Sequence, residues 1–499
     1  MGFTTVRFAL FAAALLILYY RIPQKFQWTV LLAGSWLFYL TAGAEYAVFL
    51  LFTTVTTFFA VKQMAKIQET TDRKTAKTKN RPILLACLVL NFSVLALCKG
   101  MLLVPLKSGG LSFLSVGLPL GISFYMFQSM GYAVDVYRGT AQAERNLLKF
   151  SLFVSFFPQL IQGPISKFSQ LAPQLTSPHP YDRKTVSFGL QRVVWGAFKK
   201  LVIADRIAVA VAALKAPEYT GVAFLVLTLF YAVQIYADFT GGIDMTIGLS
   251  QMFGITLPEN FIRPFFSKNI AEYWRRWHIT LGVWMKDYIF YPISISAPMR
   301  KLSKSARKKL GKFGKRLPVY VASFATWAVT GIWHGLTPNF LVWGMLNCIV
   351  IVASEELSPL YAKFHGRFHL NEKKWYDAFQ MVRMFCLMNL IRACDLFPHV
   401  GEYFRRIGTI FTDFRISVLW NGTLMGLGLT APDYGILALG VAVMFFVSVS
   451  QERRGSVRER LWSRPNLRCF LMVLLLLAII LLGCYGVGYD ASSFIYNQF

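Results

Sequence analysis

Long apolar runs, separated by short and mostly basic loops, are the first structural signal in this sequence. A membrane-spanning helix needs about 20 predominantly apolar residues. Runs near that length recur along the whole chain, and their number predicts an all-α, polytopic membrane helix bundle of about 11–14 helices. They lie near residues 4–20, 27–42, 45–61, 83–104, 112–134, 186–213, 222–250, 318–335, 338–355, 376–396, 433–450 and 467–488.

One apolar stretch, residues 150–165, is too short to span. Pro158, Gly163 and Pro164 also interrupt it. Since proline and glycine punctuate helices, this stretch is predicted to be a re-entrant segment. No low-complexity linker divides the chain, so residues 1–499 are predicted to form a single integral membrane domain.

Composition supports the membrane class and narrows the function. Hydrophobic residues make up 55% of the chain and charged residues 15%, whereas soluble domains carry about 25% charged residues. The net charge of +28 does not indicate nucleic-acid binding, because the basic residues cluster in the loops 62–81, 300–316 and 453–468 and no recognisable binding module is present. The positive-inside rule places these loops in the cytoplasm, where they face anionic lipid headgroups.

The stretch Tyr273–Pro292 is unusually rich in aromatic and charged residues for so apolar a chain. Asn269 and Glu272 before it resemble a capping box, and Pro292 is a stop signal, so we expect one helix. On such a helix His278 points nearly opposite to Asp287, and Asp287 is not expected to orient it. A polar helix of this kind lies at the membrane interface or lines a wet cavity.

Two histidines are candidates for chemistry. His334 ends an apolar run, with Gly331 leaving room beside the imidazole and Gly335 allowing another group to approach. An imidazole titrates near neutral pH and suits a general base; the alternative is a histidine hydrogen-bonded to a nearby carbonyl for packing alone. For His278 the alternative is an amphipathic residue among interfacial aromatics.

Neither a metal nor a redox site is predicted. The two histidines are 56 positions apart and have no local metal-ligand spacing, and the seven cysteines lie mostly in apolar runs without metal or redox spacing. We therefore expect no bound metal and interpret the cysteines as small core residues.

Acidic residues inside an apolar run are the remaining signal. Asp238 and Asp244 lie within 222–250, and Gln234 shares a helix face with Asp238. Buried acids are costly and face either a cavity or a basic partner. Arg275 and Arg276 are the expected partners in the second case.

Taken in order, several segments resemble the membrane-bound O-acyltransferase family, and specifically its bacterial branch of alginate O-acetylation and D-alanyl-teichoic acid transfer proteins. The similar segments cover residues 118–335 densely and the peripheral helices in 1–104 and 376–499 loosely. Gly241-Gly242 and the long basic insert 300–316 depart from the family pattern. The resembling segments are 118–128, 157–164, 196–205, 234–244, 273–278, 331–335 and the terminal 494–499.

The resemblance implies a bundle with a thin central partition and a funnel on each side. It also implies that His334 is the catalytic histidine and that His278 is the second polar position of the site. The residues expected to line that site or bind substrate are Trp333, Trp277, Asp238, Gln234, Asp244 and Arg276.

The function implied is membrane O-acyl transfer in a bacterial plasma membrane. An acyl group, acetyl in the leading interpretation, passes from a cytoplasmic thioester (acetyl-CoA or a loaded acyl carrier protein) to a hydroxyl acceptor. An extracytoplasmic partner protein would then forward it to an envelope or exported polysaccharide. The close rival is D-alanyl transfer toward teichoic acid. An ion-coupled transporter using Asp238 and Asp244, and an assembly protein without chemistry, are the other hypotheses.

Overall fold

The structure is a computed structural model that describes residues 2–101, 118–485 and 489, and the statements below refer to these residues. Their fold is helical, and the only strand-like pairing among them is an isolated bridge between Phe261 and Trp277. The first eleven helices are α1 Val6–Arg21, α2 Gln27–Leu40, α3 Ala47–Thr70, α4 Arg73–Met101, α5 Ile122–Arg138, α6 Leu147–Ser155, α7 Phe157–Gln162, α8 Phe168–Thr176, α9 Arg183–Phe198, α10 Asp205–Leu214 and α11 Val222–Met252. The others are α12 Ile270–Arg276, α13 Ile279–Met285, α14 Tyr291–Ser294, α15 Ala297–His334, α16 Pro338–Glu356, α17 Ser358–Phe368, α18 Lys374–Arg392, α19 Val400–Thr412, α20 Ala431–Arg454, α21 Val457–Trp462 and α22 Pro465–Leu482.

The apolar runs of the sequence fall on these helices, which confirms the all-α polytopic prediction. In the described part of the chain, six helices are long and apolar enough to cross a membrane: α3, α4, α11, α16, α20 and α22. The other runs form shorter or more polar helices. Part of the run 112–134 and the terminal segment 494–499 lie outside the described residues.

The short stretch at 150–165 forms two small helices, α6 and α7, that meet at Phe156. Pro158 occupies the first turn of α7, where its missing N–H costs nothing. The side chains on α6 are mostly buried, including Phe150 and Phe153. Residues 150–165 are therefore a broken, buried element and not a continuous helix.

Helix α11 lies at the centre of the molecule. Of the 18 most apolar consecutive residues in α11, 67% are buried, whereas none of those in the peripheral helix α22 are buried. Glycines let α9 approach it closely, since a Cβ on Gly196 would lie 2.4 Å from the Gly241 carbonyl oxygen and one on Gly189 would lie 2.5 Å from that of Gly248. Gly241 therefore serves close packing, and α11 continues through it without a break.

The stretch Tyr273–Pro292 is not the single helix that the sequence predicted. Helix α12 ends at Arg276, His278 adopts a left-handed conformation, and α13 begins at the next residue. A π-helix over Lys286–Phe290 then leads into α14, whose first turn contains Pro292. Asn269 caps α12 as expected, accepting from the Glu272 N–H at 2.9 Å, but the Glu272 carboxylate accepts from the N–H of Lys268. The capping box is therefore half formed.

Candidate active site

His278 lies on the sharp turn between α12 and α13. Its φ of 47° and ψ of 50° are uncommon for a residue with a Cβ. The Asn260 carbonyl accepts from the Ile279 N–H at 3.0 Å, and the Asn260 side chain accepts from the Thr280 N–H at 3.1 Å and from its hydroxyl at 2.9 Å. This neighbouring segment fixes the turn, and the buried imidazole contacts the edge of Phe239.

His334 is the last residue of α15. The chain bends after it and returns as α16, which places the rings of Trp343 and Phe340 at 5.0 Å and 6.3 Å from the imidazole. Gly335 lies against the Phe340 ring, which confirms the close approach expected there. Gly331 instead accommodates the Phe340 backbone, since a Cβ would lie 2.5 Å from its carbonyl oxygen.

Both histidines line one small cavity of about 40 Å³. The sequence could not place them together, because they are 56 positions apart. The cavity wall is aromatic and contains Trp277, Trp274 and Trp343. Two imidazoles in a confined, largely apolar cavity can exchange protons with a bound hydroxyl group, since one ring nitrogen of a neutral imidazole accepts a proton and the other donates one.

Trp333 lies in the wall of a second, larger cavity of about 320 Å³ and contacts both histidine rings. Its ring centroid lies 4.7 Å from that of His334 and 6.2 Å from that of His278, and it belongs to the wall of the larger cavity. There it stacks on Phe127 at 5.3 Å. The ammonium group of Lys99 on α4 donates to the Trp333 carbonyl, one of the last carbonyls of α15, and so ties the end of that helix to α4.

Sequence analysis missed two charged residues of the smaller cavity, Arg392 and Asp395. The guanidinium group of Arg392 lies over the Trp277 ring at 4.1 Å, and its Nη2 donates to the Tyr273 hydroxyl at 3.3 Å. Both residues could have been found from the sequence, because they lie in the apolar run 376–396. A charged residue inside an apolar run is the same criterion that identified Asp238 and Asp244.

The remaining predicted site residues are not in the wall of the smaller cavity. Asp238 pairs with Lys200 at 2.5 Å, and Asp244 pairs with Lys199 at 2.6 Å and with Arg192 at 2.8 Å. The acids of α11 thus have basic partners, as one of the two hypotheses required. The partners named from sequence, Arg275 and Arg276, were wrong, because α9 and the π-helix after it (Lys199–Ala204) supply the charges.

Three further polar residues, Gln234, Arg276 and Asp287, lie outside the smaller cavity. Gln234 lies one turn before Asp238 on α11, outside the wall of the smaller cavity. Arg276 pairs with Glu272 at 2.8 Å and with Glu452 at 3.1 Å, away from that wall. Asp287 pairs with Lys167 at 2.7 Å.

In the described part of the chain, no group of three or more His, Cys, Asp or Glu side chains is placed to hold a metal ion. The interpretation of the cysteines as core residues is correct for Cys87, Cys98, Cys348 and Cys394, which are buried. It is wrong for Cys386 and Cys469, which are exposed on the outside of the bundle.

Close contact between α15 and α16 gives a first testable prediction. A Cβ on Gly344 would lie 2.5 Å from the Trp327 carbonyl oxygen, so Gly344→Ala must displace α16 and with it Trp343. We expect acyl transfer to fall at least tenfold and stability to fall by about 1–3 kcal/mol, the usual cost of overpacking. Gly366→Ala on α17 is the matched control, because nothing lies within 4 Å of the added methyl group. Equal initial rates and equal melting temperatures for the two variants would contradict the expectation.

Comparison with known proteins assigns the chain to a family. The model of the membrane-bound O-acyltransferase family matches residues 38–394. A probable alginate O-acetylase of Pseudomonas fluorescens is 35% identical over 84% of this chain and 77% of its own length. A peptidoglycan O-acetyltransferase of Helicobacter pylori is 33% identical over 50% of this chain and 49% of its own. A teichoic acid D-alanyltransferase of Bacillus subtilis is 27% identical over 46% of this chain and 58% of its own length.

Proposed function

Because the chain belongs to the membrane-bound O-acyltransferase family and is a multi-pass membrane acyltransferase, we propose that it transfers an acetyl group to a hydroxyl acceptor for modification of an envelope or exported polysaccharide. The donor is a cytoplasmic thioester, and the membrane is the bacterial plasma membrane. The names of the similar O-acetylases, which act on alginate and peptidoglycan, support this choice.

The meeting of His278 and His334 in the wall of one small cavity of about 40 Å³ is the observation that carries the proposal. It brings two groups capable of proton transfer to one place where a hydroxyl and an acyl group can react. The choice of acetyl over D-alanyl rests on the similarity to O-acetylases over most of the chain.

The guanidinium group in the cavity wall favours acetyl, whereas the carboxylate of Asp395 in the same wall acts in the opposite direction. Arg392 places a guanidinium cation in the wall. A D-alanyl thioester brings an ammonium group within a few ångströms of that cation, and like charges in a site of low dielectric repel strongly. An acetyl group carries no charge and meets no such penalty.

His334 is the general base in this proposal. Its imidazole takes the proton of the acceptor hydroxyl as that oxygen attacks the thioester carbonyl carbon, and it returns the proton to the departing thiolate. His278, in the same cavity, supports the reacting groups by hydrogen bonding. General bases of this kind contribute about 10²–10⁴-fold to a rate.

The reactants approach from opposite sides of the membrane. Exposed basic side chains in the 300–316 segment attract an anionic donor, which is acetyl-CoA or an acyl carrier protein, by long-range Coulombic forces. The acceptor is a serine or tyrosine hydroxyl of an extracytoplasmic partner protein, which forwards the acetyl group to the polymer.

D-alanyl transfer is the second candidate, and one observation favours it. Asp395 lines the cavity, and its Oδ1 has no hydrogen-bond partner among the described residues. A buried carboxylate oxygen of this kind can accept from the ammonium group of a D-alanyl thioester. The similarity to D-alanyltransferases is consistent with this alternative.

Donor-dependent labelling tests the choice. Inside-out vesicles containing the protein are supplied with radiolabelled acetyl-CoA, an acetyl-loaded carrier protein or a D-alanyl-loaded carrier protein. We expect label from an acetyl donor to reach envelope material, and vesicles containing His334→Ala protein to remain unlabelled. Label from the D-alanyl carrier alone would favour the second candidate, and the absence of label from all three donors would overturn both.

A further inference from the structure

Arg392 differs from the other deeply buried cations of this protein. Four Lys and Arg side chains are buried in the described part of the chain: Lys199, Lys200, Arg392 and Arg406. Each of the other three forms an ion pair with a carboxylate. Arg392 forms none within 4 Å of any described residue, although it is only 6% exposed. The nearby carboxylate of Asp395, in the same cavity wall, acts on it through its charge without forming such an ion pair.

The hydrogen bonds of Arg392 are also incomplete. A guanidinium group has five N–H donors, and among the described residues only the Tyr273 hydroxyl accepts from it, at 3.3 Å. The Trp277 face at 4.1 Å holds the group in place without using an N–H in the ring plane. Burying a cation costs several kcal/mol unless an anion or hydrogen-bond acceptors offset it. A ligand that brings negative charge is therefore the natural partner.

The position of Arg392 specifies that ligand. It lines the cavity that contains His278 and His334, and its charge acts on both imidazoles. The reaction that the two histidines would serve turns one carbonyl oxygen negative in this same confined space. That oxygen supplies the contacting negative charge that Arg392 lacks.

We propose that Arg392 is a catalytic residue whose guanidinium group donates hydrogen bonds to the thioester carbonyl oxygen as it becomes an oxyanion. This inference rests on the acyl-transfer function proposed above and deepens it. The acceptor oxygen forms a bond to the carbonyl carbon while its proton passes to His334, and the C=O π electrons move to the oxygen that faces Arg392. Collapse re-forms C=O, breaks the C–S bond and releases a thiolate that takes the proton from His334. Donors fixed before the reaction lower the barrier because they need no reorganisation.

A matched pair of variants on α18 tests the proposal. Arg392→Gln keeps a planar amide but removes the charge, and Arg392→Lys keeps the charge without the planar array of donors. Arg383→Gln, also on α18, is the control, since Arg383 lies on the exposed side of the helix and contacts Phe379 and the Lys268 carbonyl. Purified protein in lipid nanodiscs is assayed at varied donor concentration, with the donor that labels wild-type vesicles.

We expect Arg392→Gln to lower kcat about 100-fold, the usual loss for one oxyanion donor, with the donor KM changed less than threefold. Arg392→Lys should recover at least tenfold of that loss, and Arg383→Gln should stay within twofold of wild type. A kcat within fivefold of wild type for Arg392→Gln, or a loss confined to KM, would overturn the proposal. A lower melting temperature with unchanged kcat would assign Arg392 a packing role instead.

A binding measurement separates this proposal from the proposed function. Formate is an anion of three heavy atoms, and its binding can be followed by tryptophan fluorescence because Trp277 lies against Arg392. Wild type and Arg383→Gln should bind formate, and Arg392→Gln should bind it at least tenfold more weakly. Equal formate binding by all three proteins would overturn the anion site. Arg392-dependent binding in a protein that uses no thioester donor would preserve the anion site but overturn both the catalytic role and the function.

Discussion

Replacing His334 by Ala is expected to lower acyl transfer by about 10³–10⁴-fold while leaving the fold intact, since a general base contributes up to about 10⁴-fold. The imidazole lies at the end of α15 and lines a small cavity, so its removal enlarges that cavity. The measurement is the initial rate of label transfer in nanodiscs, compared with the melting temperature.

His399→Ala is the control for this experiment, because His399 is exposed before α19 and lines neither of the two cavities. Wild-type rates are expected for it. The experiment also separates the classes of function, because a transporter or an assembly protein predicts that His334→Ala leaves its role unaffected. A rate within tenfold of wild type for His334→Ala would contradict its assignment as the base.

The largest effect on stability is expected for Lys200→Met. The ammonium group of Lys200 is buried and pairs with Asp238 at 2.5 Å and with Asp205 at 2.7 Å. Removing it leaves two carboxylates without their cation, and breaking a buried pair in this way costs about 3–5 kcal/mol. We expect a marked fall in melting temperature in detergent, measured by intrinsic fluorescence.

Two further variants distinguish the loss of the ion pair from a simple packing defect. Lys200→Met/Asp238→Asn removes one of the stranded charges and should regain part of the lost stability, which a simple packing defect would not allow. Lys363→Met on α17 removes an exposed lysine and should melt like wild type. A Lys200→Met protein as stable as Lys363→Met would show that the pair contributes little.

Helix positions were predictable because the length of an apolar run is a strong signal in membrane proteins. The break at His278 was not, since neither glycine nor proline marks it. Contacts with Asn260 fix that turn, and such tertiary contacts outweigh local helix propensity. Contacts between residues that are distant in the sequence could likewise not be predicted from a sequence pattern.

Only part of the candidate site could be predicted, because its residues come together only in the folded chain. His278, His334 and Trp277 were identified, and the structure places them around one cavity. The partners of Asp238 and Asp244 come from α9 and the π-helix after it, and no spacing rule connects those positions. Arg392 could have been identified from the sequence, because burying a charged residue inside an apolar run costs free energy and usually marks a functional site.

The left-handed turn at His278 has a consequence for how this enzyme tolerates change. On a regular helix the direction of a side chain follows from the hydrogen bonds of its own turn. At His278 the direction depends on a separate segment, through the three hydrogen bonds to Asn260. An uncommon backbone conformation persists only while its surroundings enforce it, at a cost of about 1–3 kcal/mol. Loss of the Asn260 side chain is therefore expected to change the direction of the imidazole, although Asn260 lines neither of the two cavities.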